Sequence, residues 1–209
     1  MPDNPGNMKI PVSAAILAGG EGRRMGGTDK SCIRISGQKL VSRIIERLEG
    51  LFTEIFVITR SPENHPDLKV RMAGDVFQSR SSLTGLHSAL YHSSTNYVFV
   101  TACDSPFLNR KLIAALLARL HPEDDVLIPI HPDGMYEPLC AVYSRRCLPF
   151  IEKNLEQKRF QIIKFFPHVK IHTVDTAELR ASDREFESFI NVNTPEELQE
   201  AYVRAGNAQ

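Results

Sequence analysis

Between positions 19 and 30 the chain concentrates the ingredients of a phosphate site. Gly19, Gly20, Gly22, Gly26 and Gly27 fall within nine positions, and Arg23, Arg24 and Lys30 share the same stretch. Residues without a Cβ let a turn tighten until several backbone N–H groups converge on one anion, and the three cations supply charge. Neither familiar nucleotide motif describes this turn. The string G-x-x-x-x-G-K-[ST] is absent, and G-x-G-x-x-G fails from Gly20 because of Met25 and from Gly19 because of Glu21. A solvated surface loop would carry the same composition.

Further along lie groups that could complete such a site. Asp104, in VTACDSPF, follows an apolar run and is placed to hold Mg2+ against phosphate oxygens, with water completing the octahedron. A turn aspartate capping whatever follows Pro106 would look the same. Asp75 occupies a comparable position ahead of Ser82-Leu83-Thr84-Gly85-Leu86. Asn191 and Asn193, two apart on an extended segment, point to one side. Their amides both donate and accept, which suits a phosphate or the edge of a heterocycle; capping of a last helix by Asn193 or Thr194 is the plainer use.

These groups must be positioned by elements whose pattern is legible. The run from Val12 to Ala18 is almost continuously apolar and ends in two glycines, as a parallel strand covered on both faces does. Similar runs predict strands over 54–59, 69–73, 97–102, 125–130, 139–143 and 170–174. Helical spacing predicts helices over 40–51, 82–93, 109–120 (capped by Asn109), 145–155 and 160–166. A final helix begins at Thr194, with Pro195 at its first position and acids after it. Strands alternating with helices specify a single-domain α/β fold, a mostly parallel central sheet flanked by helices on both sides and Rossmann-like. In such sheets ligands bind beyond the carboxyl ends of the strands, so the loops after Ala18, Thr59, Ala73 and Ala102 carry the expected site.

At 209 residues the chain is long enough for one well-buried domain and short for two, so 1–10 reads as a disordered lead-in and 11–209 as the domain. Twenty-five basic side chains balance 25 acidic ones, which argues against nucleic acid or an anionic membrane as partner. The N-terminus lacks the apolar core of a signal peptide, and no run approaches membrane-spanning length. Cys32, Cys103, Cys140 and Cys147 form no C-x-x-C pair, and the seven histidines show no ligand spacing. A cytoplasmic protein with reduced, packed thiols is expected.

The string LAGG-x-x-x-RMGG-x-DK resembles the signature loop of the molybdenum cofactor guanylyltransferases, within the wider nucleotide-diphospho-sugar transferase-like group. CDSPF resembles that family's CD-x-P motif. FINVNTPEEL is similar to its ending almost residue for residue, and EPLCAVY to its middle segment. The resemblance runs from about Ala14 to Tyr202. It implies that Leu17, Ala18 and Gly19 lie near base and sugar, that Gly20 and Gly22 wrap the triphosphate, and that Lys30 contacts its phosphates. It further implies Asp104 as metal ligand, Asp75 and Gly85 at the guanosine, and Thr59 where relatives carry an asparagine. Asn191, Asn193 and Arg159 would then meet molybdopterin. Ser81, Ser82 and Thr84 depart from the family's GPLAGL, which puts that loop's conformation in doubt.

The reaction so implied is GTP plus molybdopterin, with or without molybdenum, giving the guanine dinucleotide cofactor and pyrophosphate with Mg2+ as the cofactor. Lys30, aided by Arg24, would stabilise the departing pyrophosphate. GTP and the molybdenum cofactor are the implied partners, with room for other proteins of cofactor biosynthesis and for apo-molybdoenzymes. A cytidylyl-transferring relative, a sugar-phosphate nucleotidyltransferase and a non-catalytic cofactor carrier stay open as alternatives. The double glycine tilts the choice toward guanine.

Overall fold

The computed structural model describes residues 10–19 and 30–207. The expected lead-in up to residue 9, and Gly20, Gly22 and Arg24 of the glycine-rich turn, lie outside the described residues.

In chain order, β1 (Val12–Leu17) is followed by a small hairpin of β2 (Arg34–Ile35) and β3 (Gln38–Lys39), then α1 (Leu40–Leu48), β4 (Glu54–Ile58) and β5 (Arg71–Ala73). Next come α2 (Ser82–His92), β6 (Tyr97–Ala102), α3 (Arg110–Leu117), β7 (Val126–Ile130) and β8 (Cys140–Ser144). The chain continues through α4 (Leu148–Glu156), β9 (Ile171–Asp175), α5 (Thr176–Leu179) and α6 (Pro195–Asn207). Seven strands form one sheet in the order β5-β4-β1-β6-β8-β7-β9. All pairs are parallel except the two made by β8, which runs against both neighbours.

The apolar runs are explained by burial on both faces. Along β1, Ala14 and Ile16 join one core and Ala15 the other, so no polar face interrupts the run. On the first side Val41, Ile44 and Leu48 of α1 and Leu112, Ile113 and Leu116 of α3 cover the sheet around Phe99. On the second, Leu83, Leu86 and Leu90 of α2 and Ile151 and Leu155 of α4 cover Phe56 and Tyr143. Each such side chain, fully buried, stabilises the fold by about 1.5–3 kcal/mol. A third, smaller core joins Ile33 and Ile35 of the hairpin region to Val192, Ala201 and Ala205, which docks α6.

The expected elements are present with shifted ends. The segment expected as a helix over 160–166 is a 3-10 turn, Ile162–His168, with Pro167 inside it. Pro167 has no N–H to donate, so an α-helix cannot continue there. The helix expected over 145–155 divides into a 3-10 turn (Arg145–Cys147) and α4, whose second residue is Pro149. Asn109 caps α3 as expected, its Oδ1 accepting from the Lys111 N–H at 2.9 Å. Among the described residues no helix is long and apolar enough to cross a membrane.

Candidate active site

Chain order reverses at β1: β4 and β5 lie on one side of it, β6 on the other. The carboxyl ends of β1 and β6 therefore open a crevice. Two ladder bonds close its floor, from Ala18 N–H to the Ile58 carbonyl at 2.8 Å and from Cys103 N–H to the Leu17 carbonyl at 3.0 Å. A cleft of about 470 Å3 rises above them, with Lys30 and Asp104 at one end and Arg60 and Asp75 at the other. Leu139 reaches the same rim because β8 is antiparallel, so its amino end lies beside its neighbours' carboxyl ends.

At the first end Lys30 Nζ donates to Asp104 Oδ2 at 3.1 Å and to Asn193 Oδ1 at 2.6 Å. The two charged side chains are 14% and 18% exposed, so they are sheltered yet still reachable from the cleft. Lys30 opens a 3-10 turn whose next residue, Ser31, has its Oγ 2.9 Å from His65 Nε2, both residues fully buried. The far segment is tied down twice. Val192 N–H donates to the Asp104 carbonyl at 2.8 Å, and the Ser105 hydroxyl donates to Asn191 Oδ1 at 2.8 Å. Thr194 Oγ1 accepts from Glu197 N–H at 3.2 Å, while the Glu197 carboxylate accepts from the N–H groups of Asn193 at 2.6 Å and Thr194 at 3.1 Å. This reciprocal capping box starts α6 and at the same time holds the backbone of Asn193.

At the second end Asp75 Oδ2 accepts from Arg60 Nε. Arg60 Nη2 donates to the carbonyls of Phe77 and Gln78 at 3.3 Å and of Ser79 at 2.6 Å, strapping the loop after β5 to the end of β4. Ser81 caps α2, its Oγ accepting from Thr84 N–H at 3.1 Å. The serines that depart from the family pattern thus supply a helix start whose N-terminus borders the cleft. Gly85 also borders it, and a Cβ there would stand 3.0 Å from Leu17 Cδ1. The absent side chain is what lets α2 lie against β1.

Leu17, Gly19, Lys30, Asp75, Gly85 and Asp104 are therefore brought together as expected, with Asn191 and Asn193 docked on the Asp104 loop. Ala18 lies buried in the floor. Thr59 is different: it is 2% exposed, its hydroxyl accepts from Ser61 N–H at 3.1 Å, and it lines a neighbouring cavity of about 620 Å3 instead. Arg159 is exposed in the connection after α4, where its N–H meets the Asn154 carbonyl at 2.8 Å, and it does not line the cleft. Arg60 and Arg80, which line both cavities, were not singled out by the sequence pattern, nor was the Ser31–His65 pair. For Arg60, two residues past β4, nearness to a strand end was the available signal.

Among the described residues no group of three or more His, Cys, Asp or Glu side chains could hold a metal alone. One carboxylate on the cleft, Asp104, is compatible with a divalent cation of the kind that binds through one or two carboxylates plus substrate phosphates and water. Two of the thiols are poor nucleophiles: burial holds Cys140 far above its ordinary range and pushes Cys147 up to about 12. Burial also lifts the carboxyl of Glu137 on the turn before β8, against the pull of His131 at 2.7 Å.

A lysine and a carboxylate facing each other at the switch point of a mostly parallel sheet, with Gly19 on the same cleft, fit a nucleotide-binding enzyme of the nucleotidyltransferase class. The chain belongs to the family of the MobA-like NTP transferase domain, whose model matches residues 14–170. It is 37% identical over 197 residues to the molybdenum cofactor guanylyltransferase of Desulfosudis oleivorans, covering 93% of this chain and 97% of that protein. The crystal structure of molybdopterin-guanine dinucleotide biosynthesis protein A from Archaeoglobus fulgidus matches with a TM-score of 0.81 at 26% identity, over 93% of this chain and 99% of the other. A 4-diphosphocytidyl-2C-methyl-D-erythritol synthase from Anaerococcus prevotii matches at 0.68 and 17% identity, over 95% and 97% of the two chains, which shows the shared fold alone.

Proposed function

We propose that this protein transfers GMP from GTP to the terminal phosphate of molybdopterin. An oxygen of that phosphate attacks the α-phosphorus of GTP, the bond to the β-phosphate oxygen breaks, and pyrophosphate leaves carrying the electron pair. No protein nucleophile is needed; the demands are in-line placement and neutralised charge. The observation that carries this reading is the junction of Lys30, Asp104 and Asn193 at the switch point.

Asp104 would hold Mg2+, which when bound draws charge from the triphosphate and polarises the α-phosphorus. Lys30 exchanges its carboxylate and amide partners for phosphate oxygens, offering three N–H donors to the charge that develops on pyrophosphate. Arg24, Gly20 and Gly22, outside the described residues, would serve the same triphosphate, as the family resemblance implies. Leu17, Ala18 and Gly19 flank the nucleoside, and Asp75 reads the base. Before substrate arrives the Oδ1 atoms of Asn191 and Asn193 accept from Ser105 and Lys30, and their NH2 groups would donate to the pterin phosphate. Arg159 and Thr59 have no part in this scheme. The four cysteines, none in a C-x-x-C pair, suit a reducing cytoplasm.

The test is pyrophosphate release from GTP and from CTP, with Mg2+ and molybdopterin, beside an Asp104→Ala control. Release from GTP alone, lost in the control, supports the scheme. Preference for CTP overturns the base assignment and keeps the chemistry. Tight GTP binding without release under every condition makes the protein a carrier.

A further inference from the structure

We infer that Arg60 is the positioning residue for guanine selectivity: held by the carbonyls of 77–79, it supports Asp75 through one oxygen and leaves the rest of that carboxylate to the base. This rests on the guanylyl-transfer reading above.

The inference starts from how an arginine ordinarily meets a carboxylate. Its fork gives two parallel N–H bonds and occupies both oxygens. At this site that arrangement is blocked, because Nη2 is committed to the carbonyls of Phe77, Gln78 and Ser79 and only Nε donates to Asp75, at Oδ2. Oδ1 is left with the Ser88 hydroxyl at 3.4 Å, and that hydroxyl has a closer acceptor in the Thr84 carbonyl at 3.0 Å. A carboxylate offers about four lone-pair directions, so most of its accepting capacity is unspent. The side chain is 13% exposed and lines the cleft whose opposite end holds Lys30 and Asp104.

An oriented acceptor pair in a sheltered cleft selects a ligand edge with two adjacent donors. Guanine presents them as N1–H and the N2 amine. Adenine and cytosine place a ring nitrogen lone pair beside an amine, so one carboxylate oxygen would face a lone pair in either. Selection requires that the carboxylate neither rotates nor is covered. Arg60 meets both demands, because the loop carbonyls fix its plane and Nε fixes one oxygen. A lysine at position 60 would bring charge without that plane.

Equilibrium binding of GTP, inosine triphosphate, ATP and inorganic tripolyphosphate, with Mg2+, to wild type, Arg60→Gln, Arg60→Lys and Asp75→Asn tests this. Inosine lacks only the N2 amine, and tripolyphosphate reports the Lys30 end alone. Wild type should prefer GTP over inosine triphosphate by about 10-fold, the worth of one charge-assisted hydrogen bond. Asp75→Asn should erase that preference. Both Arg60 variants should cut the GTP preference over inosine triphosphate and ATP to within about 2-fold of parity while tripolyphosphate affinity stays within about 2-fold of wild type. Guanine preference surviving in the Arg60 variants but lost in Asp75→Asn overturns the role of Arg60 alone. A parallel loss of tripolyphosphate binding overturns it too, since it marks general damage to the cleft. Should Arg60→Gln fail to fold, Arg60→Lys decides. No guanine preference in wild type would instead count against the guanylyl-transfer reading itself.

Discussion

The two ends of the cleft are assembled over different lengths of chain. At one end Lys30 meets a carboxylate 74 residues away and an amide 163 residues away. At the other Arg60 reaches Asp75 over 15 residues and the loop carbonyls over at most 19. The first end is only as precise as the packing of the whole domain, because three separate segments must arrive together. The second is a local strap between adjacent strands, and it carries its own geometry. Damage to the core should therefore be felt as lost turnover, and damage to the strap as lost choice of base.

The largest effects should come from the charged pair. Lys30→Ala and Asp104→Ala should each slow pyrophosphate release roughly 10²- to 10⁴-fold, as expected where transition-state charge loses its partner. Thermal melting should fall as well, because the pair is sheltered and removing one partner leaves the other charge unpaired, but turnover should fall far more. Near-wild-type turnover in either variant would remove the chemistry from this end. Next, Val192→Ala should cost about 1–3 kcal/mol in denaturant titrations, since the side chain is fully buried against the hairpin core. It should also lower kcat, because the same residue's N–H anchors the Asp104 loop; a loss of stability with kcat intact would break the long-range half of the comparison.

Gly85→Val probes the opposite end. Its branches must displace Leu17, so about 1–3 kcal/mol of stability should be lost, and KM for GTP should rise more than kcat falls. An unchanged KM would separate Gly85 from nucleotide binding. The smallest expected effect is that of Thr194→Ala, about 1 kcal/mol from the lost cap, with turnover within a few-fold of wild type. A drop as deep as that of Lys30→Ala would mean that Asn193 depends on the cap far more than its other ties imply.

What the sequence displays of these two ends differs for physical reasons. Lys30, Asp104 and the asparagines stand in motifs that resemble those of a known family, and β1 and β6 show as nearly unbroken apolar runs because both faces are buried. Arg60 is not legible in that way. An arginine after a strand is as often solvated as engaged, and only the geometry of three carbonyls reveals its task. The reversed direction of β8 was equally hidden, since an apolar run carries no arrow. The hairpin of β2 and β3 did leave a trace in Ser36-Gly37, both at positive φ, but two-residue strands are too short to show alternation. Thr59 misled because its position at a strand end is right while its hydroxyl serves the backbone two residues on.

The docking of 190–194 onto Asp104 has a consequence for how the protein is made. The last strand, β9, closes at Asp175, so all seven strands have been synthesised before Asn193 exists. Chains fold from the amino end as they emerge, and the sheet can take shape while Lys30 still lacks its amide partner. A chain ending just short of Asn191 would contain every strand of the sheet and lack both the amide that meets Lys30 and the side chains that close the third core. The segment that completes the Lys30 junction is thus among the last to be made.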